Sequence, residues 1–202
     1  MRVLSFLLAL SCVSIVVACR AGDTPSETEV KSDFRAEINA KTGKPFERML
    51  RGVVVDASGQ PLRAKVHLVT PTGSQSSTTS PDGHFQFFEL RATSYSVTVT
   101  TKEGRIAVLP EVEVAPKPLQ IPVVNQGSKL LLSVSGKSSM RWAISQGETW
   151  LFNFSAKEGK EAEVVVPEGE IGIRLYGGDY FEDRTIMSTP GQRTSVEYEY
   201  TD

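Results

Sequence analysis

After residue 48 the apolar residues of this chain recur at every second position in short runs, and the polar residues between the runs form turn sequences. A period of two puts one face of each run in a core and the other in water, the mark of half-buried β-strands. Val53-Val54-Val55 is a β-branched run, Ala57-Ser58-Gly59-Gln60 a turn, and Lys65-Val66-His67-Leu68-Val69 alternates behind Pro61. Ser80-Pro81-Asp82-Gly83 predicts a second turn, because Pro fixes φ, Asp bonds nearby backbone and Gly accepts a positive φ. Phe85, Phe87 and Leu90 follow as core candidates. Tyr95, Val97 and Val99 then alternate with Ser96, Thr98 and Thr100, and Val108, Val112, Val114, Ile121, Val123 and Val124 come after them. These make about seven short strands up to Asn125, the number a small sandwich needs. Leu130-Leu131-Leu132, Met140/Trp142/Ile144, Trp150/Phe152/Phe154, Val164/Val166, Ile171/Ile173/Leu175 and Val196/Tyr198/Tyr200 supply further strands. No helical period competes with them.

The N-terminus has a different texture. Met1-Arg2 is a short positive start, and Val3 to Val17 is apolar except for Ser5, Ser11, Cys12 and Ser14. This is a signal-peptide core in length and flank, shorter than the ~20 residues a spanning helix needs. Val16-Val17-Ala18-Cys19 resembles the bacterial lipobox, with an aliphatic residue three before the cysteine and a small one directly before it. The resemblance implies cleavage before Cys19, a thioether-linked diacylglycerol on it and, in many bacteria, a further acyl chain on its amino group. Several chains, at ~0.8 kcal/mol per buried CH₂, anchor far more firmly than one. Arg20 stands where an aspartate favours inner-membrane retention in enterobacterial lipoproteins, so the outer membrane is expected. An ordinary secretory signal is the alternative. From Arg20 to Phe46 the chain is polar, with Val30, Phe34 and Ile38 as its spaced apolar residues, and it reads as a tether. Phe34 to Ile38 alternates and is its one candidate edge strand.

The first strand set also carries a family resemblance. Leu50-Arg51-Gly52-Val53-Val54-Val55-Asp56, Gly59-Gln60-Pro61-Leu62, Thr79 to Phe87, and Leu90 to Val99 are similar, in order, to the carboxypeptidase regulatory-like domain. That resemblance implies a transthyretin-like β-sandwich over Met49 to Asn125. It implies no activity, since the module accompanies metallocarboxypeptidases, outer-membrane transporters and lipoproteins alike.

Sliding the chain on itself by 76 residues sets Asp82-Gly83 on Glu158-Gly159, Leu90 to Tyr95 on Val166 to Ile171, and Val97 and Val99 on Ile173 and Leu175. Phe85 and Phe87 fall on Glu161 and Glu163, out of phase, as a bulge or a chance match would give. The expectation is an all-β chain of two tandem small antiparallel sandwiches. Its segments are 1–18 signal peptide, 19–48 lipidated cysteine and linker, 49–125 first sandwich and 126–202 second sandwich, possibly a diverged repeat. One larger sandwich is the structural alternative.

Composition narrows the chemistry. The net charge is −2, which gives no electrostatic footing for nucleic acid. Cys12 and Cys19 are the only cysteines, so the sandwiches carry no disulfide framework. His67 and His84 are the only histidines and read as surface or turn residues, too few for a zinc site. No metal, cofactor or catalytic residue is expected. Gly136-Lys137-Ser138 lacks the first glycine and the helix of a phosphate loop. Some related surface domains join Lys and Asn in an isopeptide bond. Lys129 with Asp202 or Asn153 is the only pair to weigh, and a solvated lysine is the plainer reading. Trp142 and Trp150 alternate in phase with apolar neighbours and predict core packing. Tyr176-Gly177-Gly178-Asp179-Tyr180 is the remaining candidate ligand surface, two tyrosines and an acid at a turn. The expected function is a non-catalytic, lipid-anchored binding or scaffold protein of the cell envelope, with an envelope protein or a glycan as partner. A carbohydrate-binding module and an enzyme accessory domain are the alternatives.

Overall fold

The computed structural model describes residues 48–115, 117–136 and 140–199. Within them the chain forms fifteen β-strands and no helix. The first eight are β1 (Leu50–Val55), β2 (Lys65–Thr70), β3 (Gly73–Thr78), β4 (His84–Phe87), β5 (Ser94–Thr100), β6 (Arg105–Glu113), β7 (Leu119–Pro122) and β8 (Asn125–Gln126). The rest are β9 (Ser128–Ser135), β10 (Met140–Gln146), β11 (Thr149–Ala156), β12 (Ala162–Val166), β13 (Gly169–Gly177), β14 (Tyr180–Ser188) and β15 (Arg193–Glu199).

The strands stack as two sandwiches. The first faces a β4-β1-β7 sheet with a β3-β2-β5-β6-β8 sheet, and the second a β12-β9-β15 sheet with a β11-β10-β13-β14 sheet. Leaving β8 aside, the two orders are the same strand for strand. Each sandwich is antiparallel except for one pair, its first strand beside its last: β1 with β7 and β9 with β15 run parallel. Those strands are far apart in sequence, so the long crossover that a parallel pair requires is available. Each sandwich has its own core. Leu50, Val54, Val66, Leu68, Phe85 and Val97 are among those that fill the first. Leu132, Trp142, Ile144, Ile173, Leu175 and Tyr198 are among those that fill the second, where the Trp142 and Tyr198 rings meet edge to face at 5.2 Å.

The 76-residue spacing is a structural equivalence in the central strands. Leu68 opposite Val97 and Val66 opposite Val99 correspond to Ile144 opposite Ile173 and Trp142 opposite Leu175. The out-of-phase stretch has a simple cause. Phe87 opposite Leu50 and Phe85 opposite Gly52 correspond to Val164 opposite Leu130 and Ala162 opposite Leu132, so that Val164 and Ala162 come one residue later than the 76-residue spacing gives and their partners on the first strand four residues later. One residue is added after the second sandwich's turn and removed again before Val166, which is buried like Leu90.

Two strands have no apolar alternation to announce them. β3 reads Gly-Ser-Gln-Ser-Ser-Thr, and β14 interposes Glu182, Asp183 and Arg184. Both lie at the edge of their sheets, where a strand has little core to face and a period-two signal fades. The predicted turns are present. Asp56 accepts from the Ser58 hydroxyl at 2.7 Å and from the Gln60 and Ser58 backbone N–H groups at 3.0 and 2.8 Å, and these bonds hold its carboxyl below the usual range. Gly83 donates to the Ser80 carbonyl at 3.0 Å.

Gly83 and Gly159 sit at equivalent turns with φ of 73° and 66°. A Cβ on Gly83 would lie 2.5 Å from the Val54 carbonyl oxygen, whereas one on Gly159 would meet nothing within 4 Å. Gly159→Ala is therefore expected to cost only the left-handed backbone penalty of about 1–2 kcal/mol. Gly83→Ala should cost measurably more in urea unfolding, and equal losses would contradict this account of the first turn.

Candidate functional site

The outer face of the first sandwich's larger sheet is unusual in being buried. His67 and Val69 on β2, Ser96 and Thr98 on β5, and Ile106 and Val108 on β6 share that face, opposite to core-facing Val66, Leu68 and Val97. Val69, Thr98 and Ile106 nevertheless have 1 %, 0 % and 1 % of their surface exposed. β11 of the second sandwich packs against β2, β3, β5 and β6, and β12 against β6. The connection between the sandwiches is a single residue, Gly127, whose Cβ would strike the Val165 side chain at 2.4 Å.

Asn153 on β11 organises this junction and is 1 % exposed. Its Oδ1 accepts from Arg141 Nη2 at 2.7 Å, Arg141 Nε at 3.1 Å and the Tyr176 hydroxyl at 3.2 Å. Its Nδ2 donates to the Pro71 carbonyl at 3.3 Å, and its own carbonyl accepts from the Ser74 hydroxyl. A buried amide so fully used fixes both orientation and register, because any shift leaves several polar groups unpaired. Beside it the His67 ring meets Phe152 edge to face at 5.0 Å. Burial, with Lys65 adding to it, lowers the His67 pKa to about 4. His67 is thus a half-buried, neutral ring in a junction, where the sequence suggested a surface residue. A cleft of about 390 Å³ opens here, lined by Lys65, His67, Ser76, Thr100, Phe154 and Glu163 among others.

The candidate ligand surface lies elsewhere on the second sandwich. Gly178 and Asp179 form the two-residue loop between β13 and β14, with Gly178 at φ 57°. A positive φ at the first loop position is what a type II′ hairpin requires. Tyr176 pairs with Phe181 and Gly177 with Tyr180, so the hairpin turns the two tyrosines to opposite faces of the sheet. Tyr176 joins Arg141 and Asn153 on the outer face, while Tyr180 packs on the core and donates to Glu182 at 2.6 Å. Asp179 is exposed at the tip. The three residues therefore do not form one stacking platform.

Trp150 departs from its predicted place. The register shift after Ile144 sets Ser145 opposite Trp150 and leaves Leu151 as an extra residue in β11. This bulge keeps Leu151 and Phe152 in the core and turns Trp150 toward the outer face, only half-buried. Trp150 there walls a trough of about 240 Å³ floored by Ala143, Ser145 and Gly172. Across it Arg174 grips Asp183 with two bonds of 2.6 and 2.7 Å, which hold the Asp183 carboxyl below its usual range. In the sequence Trp-Leu-Phe-Asn-Phe nothing distinguishes a bulge from plain alternation.

Lys129 pairs with Glu163 at 2.9 Å, while the Asn153 amide is taken by Arg141, Tyr176 and Pro71. Cys12, Cys19, the Arg20–Phe46 tether and Asp202 lie outside the described residues. Among the described residues, no group of three or more His, Cys, Asp or Glu is placed to hold a metal ion. None of them forms a helix long and apolar enough to cross a membrane.

Residues 49–123 match the family model of the carboxypeptidase regulatory-like domain. No curated protein matches the chain. Among solved structures, fervidolysin from Fervidobacterium pennivorans, a keratinolytic enzyme related to subtilisin, is 15% identical over 63% of this chain and 24% of its own, with a TM-score of 0.32. A DUF3823 family protein from Bacteroides ovatus is 10% identical over 70% and 96%, at 0.32. The minor pilin of Streptococcus agalactiae is 8% identical over 75% and 94%, at 0.30. This chain spans about a quarter of fervidolysin.

His67 makes the junction sensitive to acid. Its pKa is lower folded than unfolded, so the unfolded chain binds the extra proton between about pH 6.5 and pH 4. The stability contributed by the neutral ring is present above that window and is lost as pH falls through it. His67→Gln should flatten this part of the stability profile relative to wild type. An NMR titration of the His67 ring, assigned by comparison with His67→Gln, with a midpoint near 6.5 would contradict the burial described.

Proposed function

We propose that the chain, whose residues 49–123 match the carboxypeptidase regulatory-like domain, is a non-catalytic, lipid-tethered scaffold of the cell envelope whose second sandwich displays a binding surface. The observation that carries the tether is Val16-Val17-Ala18-Cys19 at the end of an apolar run, followed by a polar stretch before the first strand. Acyl chains on Cys19 would hold the protein at a membrane, the outer membrane given Arg20, and residues 20–48 would set the sandwiches away from the lipid.

The display role is supported by how the faces are used. The junction consumes the outer face of the first sandwich's larger sheet, while the corresponding face of the second carries Trp150, the Arg174–Asp183 pair and Phe181, which is 69% exposed. The partner we propose is a protein of the envelope rather than a glycan. Tyr176 and Tyr180 point to opposite faces, and both hydroxyls already bond within the sheet.

Cell fractionation tests the tether. Cys19→Ala should move the full-length protein out of the membrane fraction and abolish incorporation of radiolabelled palmitate. Retention in the membrane fraction without label would mean that something other than lipid on Cys19 holds the protein there.

A further inference from the structure

β14 has a hydrogen-bonded neighbour, β13, on one side only among the described residues, and nine consecutive pairs run along that side without a bulge. Long, regular edges of this kind are usually guarded, because their unpaired backbone groups recruit another strand. Here the charges that would guard it are satisfied at home. Asp183 is held by Arg174, and Glu182 takes bonds from Arg184 at 2.7 and 2.9 Å and from Tyr180. Arg184 lies 4.0 Å over the Tyr198 ring and also donates to the Glu197 carbonyl at 2.6 Å. What remains uncovered is apolar: Phe181 and Met187, each 69% exposed and both on the outer face of β14.

We propose that β14 pairs antiparallel with β14 of a second copy of this chain, in the register that sets Phe181 against the other copy's Met187. The sequence of the strand is complementary to itself in that register. On the outer face Phe181, Asp183, Thr185 and Met187 meet Met187, Thr185, Asp183 and Phe181, so each ring faces a thioether and each acid faces a hydroxyl. A slip of two residues one way sets Asp183 against Asp183, and the other way sets Asp183 against Met187. A slip of one residue would put outer-face residues opposite inner-face ones. On the inner face Arg184 meets itself, but each guanidinium is already turned onto its own Tyr198 and Glu182. The pairing is isologous and closes on two copies, joining two four-stranded sheets into one of eight. It does not depend on the lipid tether.

Site-specific photocrosslinking in cells expressing the full chain tests this. A benzoylphenylalanine in place of Phe181 should, on irradiation, give a product of twice the chain mass whose linked peptide contains Met187. The same probe in place of Val124, which is 54% exposed but lies off this strand, should not. Met187→Lys removes the acceptor, and Thr185→Asp sets two acids against each other without touching it. Both positions are exposed, so melting of the protein diluted below its pairing range should be unchanged while the doubled product falls at least about tenfold, a loss of about 1.4 kcal/mol in pairing. Absence of the doubled product, linkage of position 181 to a different protein, or a doubled product that survives Thr185→Asp would each overturn the proposal.

Discussion

The burial of Asn153 is the constraint on which the arrangement of the two sandwiches depends. An amide at 1 % exposure needs partners for its oxygen and nitrogen, and it takes them from both sandwiches: Arg141 and Tyr176 on one side, Pro71 on the other. Removing a partner from such a group costs about 1–3 kcal/mol and more when a charge such as Arg141 is involved. β11 is an edge strand, and the first sandwich covers it where solvent would otherwise meet Phe152. The same contact buries Val69, Thr98 and Ile106 on a sheet face that would be wet in an isolated sandwich. One covered edge and one covered face thus resolve each other.

That junction also breaks the equivalence of two sandwiches that share a strand order. In the first, the outer face of the larger sheet is used up by its neighbour. In the second, the same face is covered only at its β11 edge, around Asn153, and beyond that edge carries an out-turned tryptophan, an arginine–aspartate pair and an exposed phenylalanine. The difference begins in local sequence. A bulge at Leu151 turns Trp150 out, and a II′ loop at Gly178 sends Tyr176 and Tyr180 to opposite faces.

What the sequence made legible follows from where hydrophobic burial writes a pattern. Val66, Leu68, Val97 and Val99 alternate because one face of each strand meets a core, and their counterparts Trp142, Ile144, Ile173 and Leu175 alternate for the same reason. The 76-residue spacing and much of the family resemblance are carried by such positions, and the Ser80–Gly83 turn by residues whose backbone preferences are local. β3 and β14 were illegible because edge strands have little core to alternate against. Trp150 was misplaced because Leu151 is also apolar, so an inserted residue leaves the pattern looking intact. Asn153 and His67 looked like ordinary polar positions on wet faces. Their burial comes from contact between strands some 80 residues apart, as the Asn153–Pro71 bond shows, and no local period records it.

If the Asn153 junction makes the two sandwiches one cooperative unit, calorimetry of the full chain beside Asn153→Ala will show it. The wild type should unfold in a single transition, and Asn153→Ala at a lower melting temperature in two resolvable transitions, one for each sandwich. Two separate transitions in the wild type, or an Asn153→Ala trace indistinguishable from it, would mean that the sandwiches do not unfold together through this junction.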